Sequence, residues 1–183
     1  MNRNLKKLTL LPSQQLLQQI WEHIISRPRK RGEHKKNIYE CLFLLGWKVG
    51  LRISEAISFD LNLVNPQEQF SKLYLVRGKH QKERWVYVSS EVVSKLRQRK
   101  WRPQQTKRSS FFSFLQQIKQ ELELTSNIEL APHTLRRCFA THNAIAGMPL
   151  PVLQKVLGHS KISTTALYIR DSDLNNLVKY KPI

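Results

Sequence analysis

Between Pro132 and Arg170 the chain reads PHTLRRCFATHNAIAGMPLPVLQKVLGHSKISTTALYIR, and within it His133, Arg136, His159 and Tyr168 are residue types that together can handle a phosphate ester. His133 and Arg136 are three residues apart, so on a helix both side chains project from one face toward the same point. A histidine beside an arginine makes an anion site. The planar fork of arginine gives paired hydrogen bonds to phosphate oxygens and keeps its charge at any working pH. A tyrosine hydroxyl is a nucleophile once deprotonated, and from a phenol pKa near about 10 that requires surrounding positive charge and a base. Upstream, Arg52 follows Gly50 and Leu51, with Glu55 three residues later; a local ion pair on a helix surface accounts for that spacing as well as a functional arginine does. Lys79 and Lys82 lie in a polar connection and fit a solvated basic turn.

The elements that must position these residues are written in the periodicity. Leu135, Cys138, Phe139, His142, Ile145 and Ala146 recur at three- and four-residue spacing, which predicts a helix stopped by Gly147, with His142 packed in its core face. After Pro149 and Pro151, a second stripe of Val152, Leu153, Val156 and Leu157 ends at Gly158 and leaves His159 just past a helix end. Ser163 is the expected N-cap of a third helix that carries Tyr168. Earlier in the chain, Pro12 and Ser13 introduce a helix with Leu16, Leu17, Ile20, Trp21 and Ile24 on one side, and RPRKRGEHKK reads as a basic loop. Residues 37–49 form a strongly apolar helix ending at Gly50, Asn65 and Pro66 mark a turn, and KLYLVRGKHQKERWVYVS reads as two strands around a polar connection. A short basic helix over 92–101, an exposed loop RPQQTKRSS and an amphipathic helix over 111–124 complete the body, and the tail DSDLNNLVKYKPI shows Leu174, Leu177 and Val178 at helical spacing. The expected fold class is α+β, mainly helical with a small antiparallel sheet.

Length and composition bound what such a body can be. With 183 residues and 40% hydrophobic content, one domain can bury a real core without staples. Cys41 and Cys138 both fall on apolar stripes and read as buried small hydrophobes in an intracellular protein. No apolar run approaches the roughly 20 residues of a membrane span, and no Lys-rich amphipathic helix suggests a membrane surface. The 31 Lys and Arg against 13 Asp and Glu give a formal charge of +18, which points to a polyanionic partner, a nucleic acid. There is no Gly-rich phosphate loop, no Cys/His set with zinc spacing and no group of Asp and Glu able to hold catalytic magnesium, so the expected chemistry uses neither cofactor nor metal.

GLRISEAI, the hairpin GKHQKER, HTLRRCFATH and LGHSKISTTALYIR, in that order, resemble the tyrosine recombinase (phage integrase) family. Its pattern is an arginine in a GLRxSE box, a hairpin lysine, an HxLR box, a GH box and a nucleophilic tyrosine nine residues beyond that histidine. The resemblance covers roughly residues 8–175. It implies a recombinase catalytic-domain fold and cleavage and rejoining of double-stranded DNA through a 3′-phosphotyrosyl intermediate. It further implies Arg52, Lys79, His133, Arg136, His159 and Tyr168 as catalytic residues, with Glu55 holding Arg52. Arg52 arrives early in the chain, so the expectation is a single catalytic domain over 1–183 without the N-terminal clamp domain of most relatives, acting as a homo-oligomer on DNA, through the tail, or beside a clamp-bearing partner. The implied setting is a cytoplasmic, nucleoid-associated enzyme of a mobile element. The alternative is a DNA-binding protein without catalysis, in which LQKVLGHSKISTTALYI serves as a helix-turn-helix.

Overall fold

The computed structural model describes residues 10–28, 34–65, 70–75, 84–163 and 165. Lys79, Lys82, Tyr168 and the tail beyond it lie outside the described residues. The centre of the fold is a helix whose C-terminal half has no polar side. In α2 (His34–Trp47), Cys41, Leu42, Phe43, Leu44 and Leu45 are consecutive and each at most 1% exposed. A helix apolar all round must be covered all round. α1 (Gln14–Ser26) covers one side with Leu17, Ile20, Trp21 and Ile24, started by Ser13, whose Oγ accepts from the Leu16 N–H at 3.1 Å. α5 (Arg108–Glu121) adds Phe111, Phe114, Leu115 and Ile118, and α6 (Pro132–Ile145) adds Leu135 and Cys138. Each such aliphatic or aromatic side chain contributes about 1.5–3 kcal/mol when fully buried.

Close contact between α2 and α6 sets the path of the chain beyond α2. A Cβ on Gly46 would meet Leu135 at 3.0 Å, and one on Gly50, where φ is +73°, would stand 2.4 Å from the Phe139 ring. Only glycine lets the chain turn there against α6. That turn delivers Arg52 to the N-cap of α3 (Ile53–Ile57).

The sheet is three-stranded and antiparallel in the order β1 (Val64–Asn65), β2 (Phe70–Leu75), β3 (Arg84–Ser89), with Phe70 opposite Ser89 and Leu75 opposite Arg84. Along β3, Arg84, Val86 and Val88 are buried while Trp85 and Tyr87 are exposed, the period of two expected of a half-covered sheet. α4 (Ser90–Gln98) follows directly, capped by Ser89, and packs Val92, Val93 and Leu96 inward. Trp101 is buried beyond its end with Nε1 donating to the Phe59 carbonyl at 2.8 Å. α7 (Leu150–Leu157) docks Leu153 and Leu157 on Ala140, beside Phe139, Ala144 and Met148. Leu10 pairs with Ile128 in a parallel bridge, bonding Asn127 and Glu129, so the segment before α1 lies alongside the approach to α6.

The α+β class, the antiparallel pairing of the two long strands and the helix order up to α7 stand as the sequence led us to expect, while the helix expected to carry Tyr168 lies mostly outside the described residues. Several details differ. Ile145 and Val152, assigned to buried stripes, are 46% and 45% exposed, because each lies at a helix end or outer edge that no neighbouring element reaches among the described residues. Residues 108–110 belong to α5 and residues 34–36 to α2, both read as loop from their basic charge. Asn65 is the last residue of β1, paired with Lys72, and Pro66, the other residue of the expected turn, lies outside the described residues. Residues 162, 163 and 165 are helical, so Ser163 lies inside the turn it was expected to cap. Both cysteines are free and buried, and burial pushes each thiol up to about 12, so neither ionises near neutral pH. Among the described residues no helix is long and apolar enough to cross a membrane.

Candidate active site

The site is built around one carboxylate. Glu55 occupies the third position of α3, where its Oε2 accepts the Arg52 backbone N–H at 2.8 Å and so satisfies the N-cap amide at the start of the helix. Its Oε1 accepts from Arg52 Nη1 at 2.9 Å. From β3, Arg84 donates Nη1 to Oε1 and Nη2 to Oε2, both at 2.7 Å, in a parallel fork. Arg136 Nη1 stands 3.7 Å from Oε2. The carboxyl is 4% exposed, and burial alone would raise its pKa; the hydrogen bonds and charge of Arg84, then those of Arg52, overcome this and hold it at about 2.

Arg136 projects from α6 and is 1% exposed, the largest fully buried side chain among the described residues. A buried guanidinium must be satisfied. Nη1 donates to the Gly50 carbonyl at 2.8 Å, and Nη2 donates to the Leu157 carbonyl at the end of α7 and lies 3.3 Å from His159 Nε2. Gly158, in the left-handed region at φ +63°, ends α7 and turns the chain so that His159 faces back toward Arg136. A side chain at Gly158 would meet Arg84 Cδ at 2.7 Å, so the glycine also makes room for that arginine. The Gln154 side-chain amide donates to the His159 carbonyl at 3.0 Å, and His159 Nδ1 lies 2.9 Å from Thr165 Oγ1, which is fully buried.

An arginine N–H can only donate, so the contact with Arg136 makes Nε2 of His159 an acceptor and leaves Nδ1–H to donate to Thr165. Burial, and then the charges of Arg136, Arg52, Arg84 and His133, push His159 down to about 4, so the ring is neutral near pH 7. His133, in the first turn of α6 on the open side of the site, is pushed below the ordinary histidine range by partial desolvation first, then by Arg136, Arg137 and Arg52. Arg137 points away and pairs with Glu129 at 2.7 Å.

The structure thus brings together Arg52, Glu55, Arg136 and His159, with His133 at the rim. Lys79 and Tyr168 fall outside the described residues. Two residues escaped the reading of the sequence. Arg84 is in phase with Val86 and Val88, so an arginine on the buried face of a strand was a legible signal of a paired charge. Thr165 carried none, since one threonine in a run of two has no distinguishing pattern. With three guanidiniums around one carboxylate, the site carries more positive charge than it pairs, and it opens where Arg52 remains 32% exposed. Such a geometry receives a tetrahedral anion through donors already in place.

Comparison with known proteins agrees with this geometry. Tyrosine recombinase XerD of Staphylococcus saprophyticus is 36% identical over 155 residues, covering 75% of this chain and 50% of the relative. XerD of Pseudomonas putida is 32% identical over 154 residues, covering 75% and 49%. The chain spans about half the length of these curated relatives. Among solved structures, the XerH site-specific recombinase bound to its difH substrate superposes with a TM-score of 0.74 at 18% identity, over 98% of this chain and 57% of that one. The catalytic domain of bacteriophage HP1 integrase superposes with a TM-score of 0.64 at 25% identity, over 96% of each. The profile of the phage integrase family matches residues 14–175, and with the arginine and histidine boxes of that family meeting around Glu55, the chain belongs to the phage integrase family of tyrosine recombinases.

Proposed function

We propose that this domain cleaves and rejoins double-stranded DNA by transesterification through Tyr168. The observation that carries the reading is the convergence of the partly exposed Arg52 and the buried Arg136 from separate elements on Glu55, with His159 hydrogen-bonded to the second arginine. Tyr168 Oη attacks the phosphorus, the bond to the 5′ oxygen breaks, and the 3′ phosphate remains on the tyrosine. The ester keeps the bond energy, so the strand can be rejoined without ATP. The tyrosine proton passes to His133, which is neutral and able to accept it. Lys79, an ammonium on a hairpin connection, protonates the departing 5′ oxygen.

Arg52 and Arg136 neutralise the charge that grows on the non-bridging oxygens. When a phosphate oxygen takes the Arg136 Nη2 donor, His159 Nε2 is released. The Thr165 hydroxyl can donate as well as accept, so it can then support the Nε2–H tautomer, and His159 donates its own hydrogen bond to the phosphate. Glu55 fixes the rotamer of Arg52. Solved relatives described as bound to DNA, among them XerH on difH, and the +18 charge support duplex DNA as substrate. In this reading the domain acts as an oligomer on DNA, with the tail beyond Tyr168 joining protomers.

The test is trapping. The protein is incubated in EDTA with a nicked suicide duplex, drawn from pooled sequences or the ends of its own element, and run on a denaturing gel. A band shifted by covalent DNA that vanishes in Tyr168→Phe, while duplex binding stays within about twofold, is expected. Equal loss of binding and attachment in Tyr168→Phe removes the nucleophile assignment. No band with retained binding, even after a full-length relative is added, favours a binding protein instead.

A further inference from the structure

Arg84 takes no part in the cleavage and rejoining steps, yet it is held at every corner of its guanidinium. Its Nη1 and Nη2 fork onto the two oxygens of Glu55 at 2.7 Å each, and its Nε donates to the Val156 carbonyl of α7 at 2.9 Å. Its side chain is 7% exposed and all three of its nitrogens are committed to Glu55 and Val156, whereas Arg52, at 32%, faces the opening. A carboxylate offers about four acceptor directions. Those of Glu55 are taken by the two Arg84 amino groups, the Arg52 side chain and the Arg52 backbone N–H.

This occupancy matters because a carboxylate beside a phosphate-binding arginine can also neutralise it. Three guanidiniums against one carboxylate leave a local charge of +2; without Arg84 it would be +1, and Glu55 would lose two of the four donors that fix its orientation. Arg84 also opens β3 while gripping α7 one turn before His159, so a single side chain joins the base of the hairpin, the Arg52 pair and the histidine loop.

We propose that Arg84 is a positioning residue that holds Glu55 side-on, keeping Arg52 ordered and open toward phosphate, and registers α7 against the sheet. The proposal rests on the phosphate-binding reading of the site. It is tested on the full chain, labelled with 15N, by Arg84→Gln, Arg84→Lys, Glu55→Gln and the Glu55/Arg84 double glutamine variant. Two quantities are read: the heteronuclear NOE of the Arg52 Nε–H, assigned by its loss in Arg52→Lys, and the cleavage rate at saturating suicide duplex alongside duplex Kd.

In Arg84→Gln the Arg52 NOE should fall from rigid values to those of a free surface arginine. Cleavage at saturation should slow by about 10- to 100-fold, the range for losing a group that orients a site ligand, with Kd within about threefold. Arg84→Lys should recover part of both, since an ammonium reaches one carboxylate oxygen and not two. It also carries the measurement should the glutamine variant not fold. The double variant should be no slower than the slower single one, as expected of residues acting through one another. An Arg52 NOE unchanged in the Arg84 variants, or cleavage losses that multiply, overturns the proposal. A wild-type protein that binds duplex but never becomes covalently attached overturns the strand-cleavage reading instead, and the NOE still decides Arg84.

Discussion

Replacing Glu55 by glutamine keeps the shape of the side chain and removes its charge, which leaves Arg84 and Arg136 buried without a counter-ion. The cost can be worked from the titration of the group itself. In the folded protein its pKa is about 2 against an ordinary 4.5, and at about 1.4 kcal/mol per unit this corresponds to about 3 kcal/mol of folding free energy. Breaking a buried pair by removing one partner costs about 3–5 kcal/mol in general, so the two figures meet. Because the folded pKa is depressed, the contribution is present above about pH 4.5 and is lost as the pH falls through about 2. Urea unfolding of both proteins, followed by tryptophan fluorescence from pH 7 down to 2, should show the difference at full size at pH 7 and 6. It should shrink below pH 4.5 and vanish near pH 2, where a protonated glutamate and a glutamine are equivalent. The remaining carboxylates cancel in the comparison. A difference under about 1 kcal/mol at pH 7, or one that stays constant across the series, would falsify the central place given to Glu55.

Gly50→Ala places a methyl 2.4 Å from the Phe139 ring at a φ of +73° and should cost about 2–4 kcal/mol, whereas Gly147→Ala, at φ +92° with open space around it, should cost about 1 kcal/mol; thermal melts that rank them the other way refute the packing argument. Thr165→Val should leave the neutral His159 ring as Nδ1–H, because the Arg136 donor to Nε2 is unchanged, read directly from imidazole 15N shifts; a move to Nε2–H means Thr165 and not Arg136 sets the tautomer. Duplex affinity should fall with salt with a log–log slope steeper than about −4, given about −0.9 per neutralised phosphate, and a flat dependence would mean that the +18 charge serves another purpose.

What the sequence could show was whatever repeats or keeps a fixed spacing. The stripes of α1, α2 and α6 and the two long strands repeat along the chain, and the boxes around Arg52, His133, Arg136 and His159 hold fixed intervals, so both were legible before any coordinates. Periodicity reports which residues share a face, but not whether a neighbour covers it, which is why Ile145 and Val152 were placed inward and lie outward. The two-residue β1 and the Leu10–Ile128 bridge are made by partners distant in sequence and have no local pattern to find. Arg84 marks the boundary between the two kinds of information. Its phase with Val86 and Val88 was visible, but that its fork would close on Glu55, 29 residues away, depends on how the sheet meets α3.

The bond from the Arg52 backbone to Glu55 at the start of α3 has a consequence for how this protein can fail. A helix of five residues has no stability of its own, and the carboxylate that starts it is the one that gathers the arginines. Local order at α3 and assembly of the anion site are therefore one event, completed only when β3, α6 and α7 are all docked. A chain that has lost any of these contacts by partial opening loses the arrangement of Arg52 at the same moment. An incompletely folded copy that still clings to a polyanion through its net charge thus does so without its anion site.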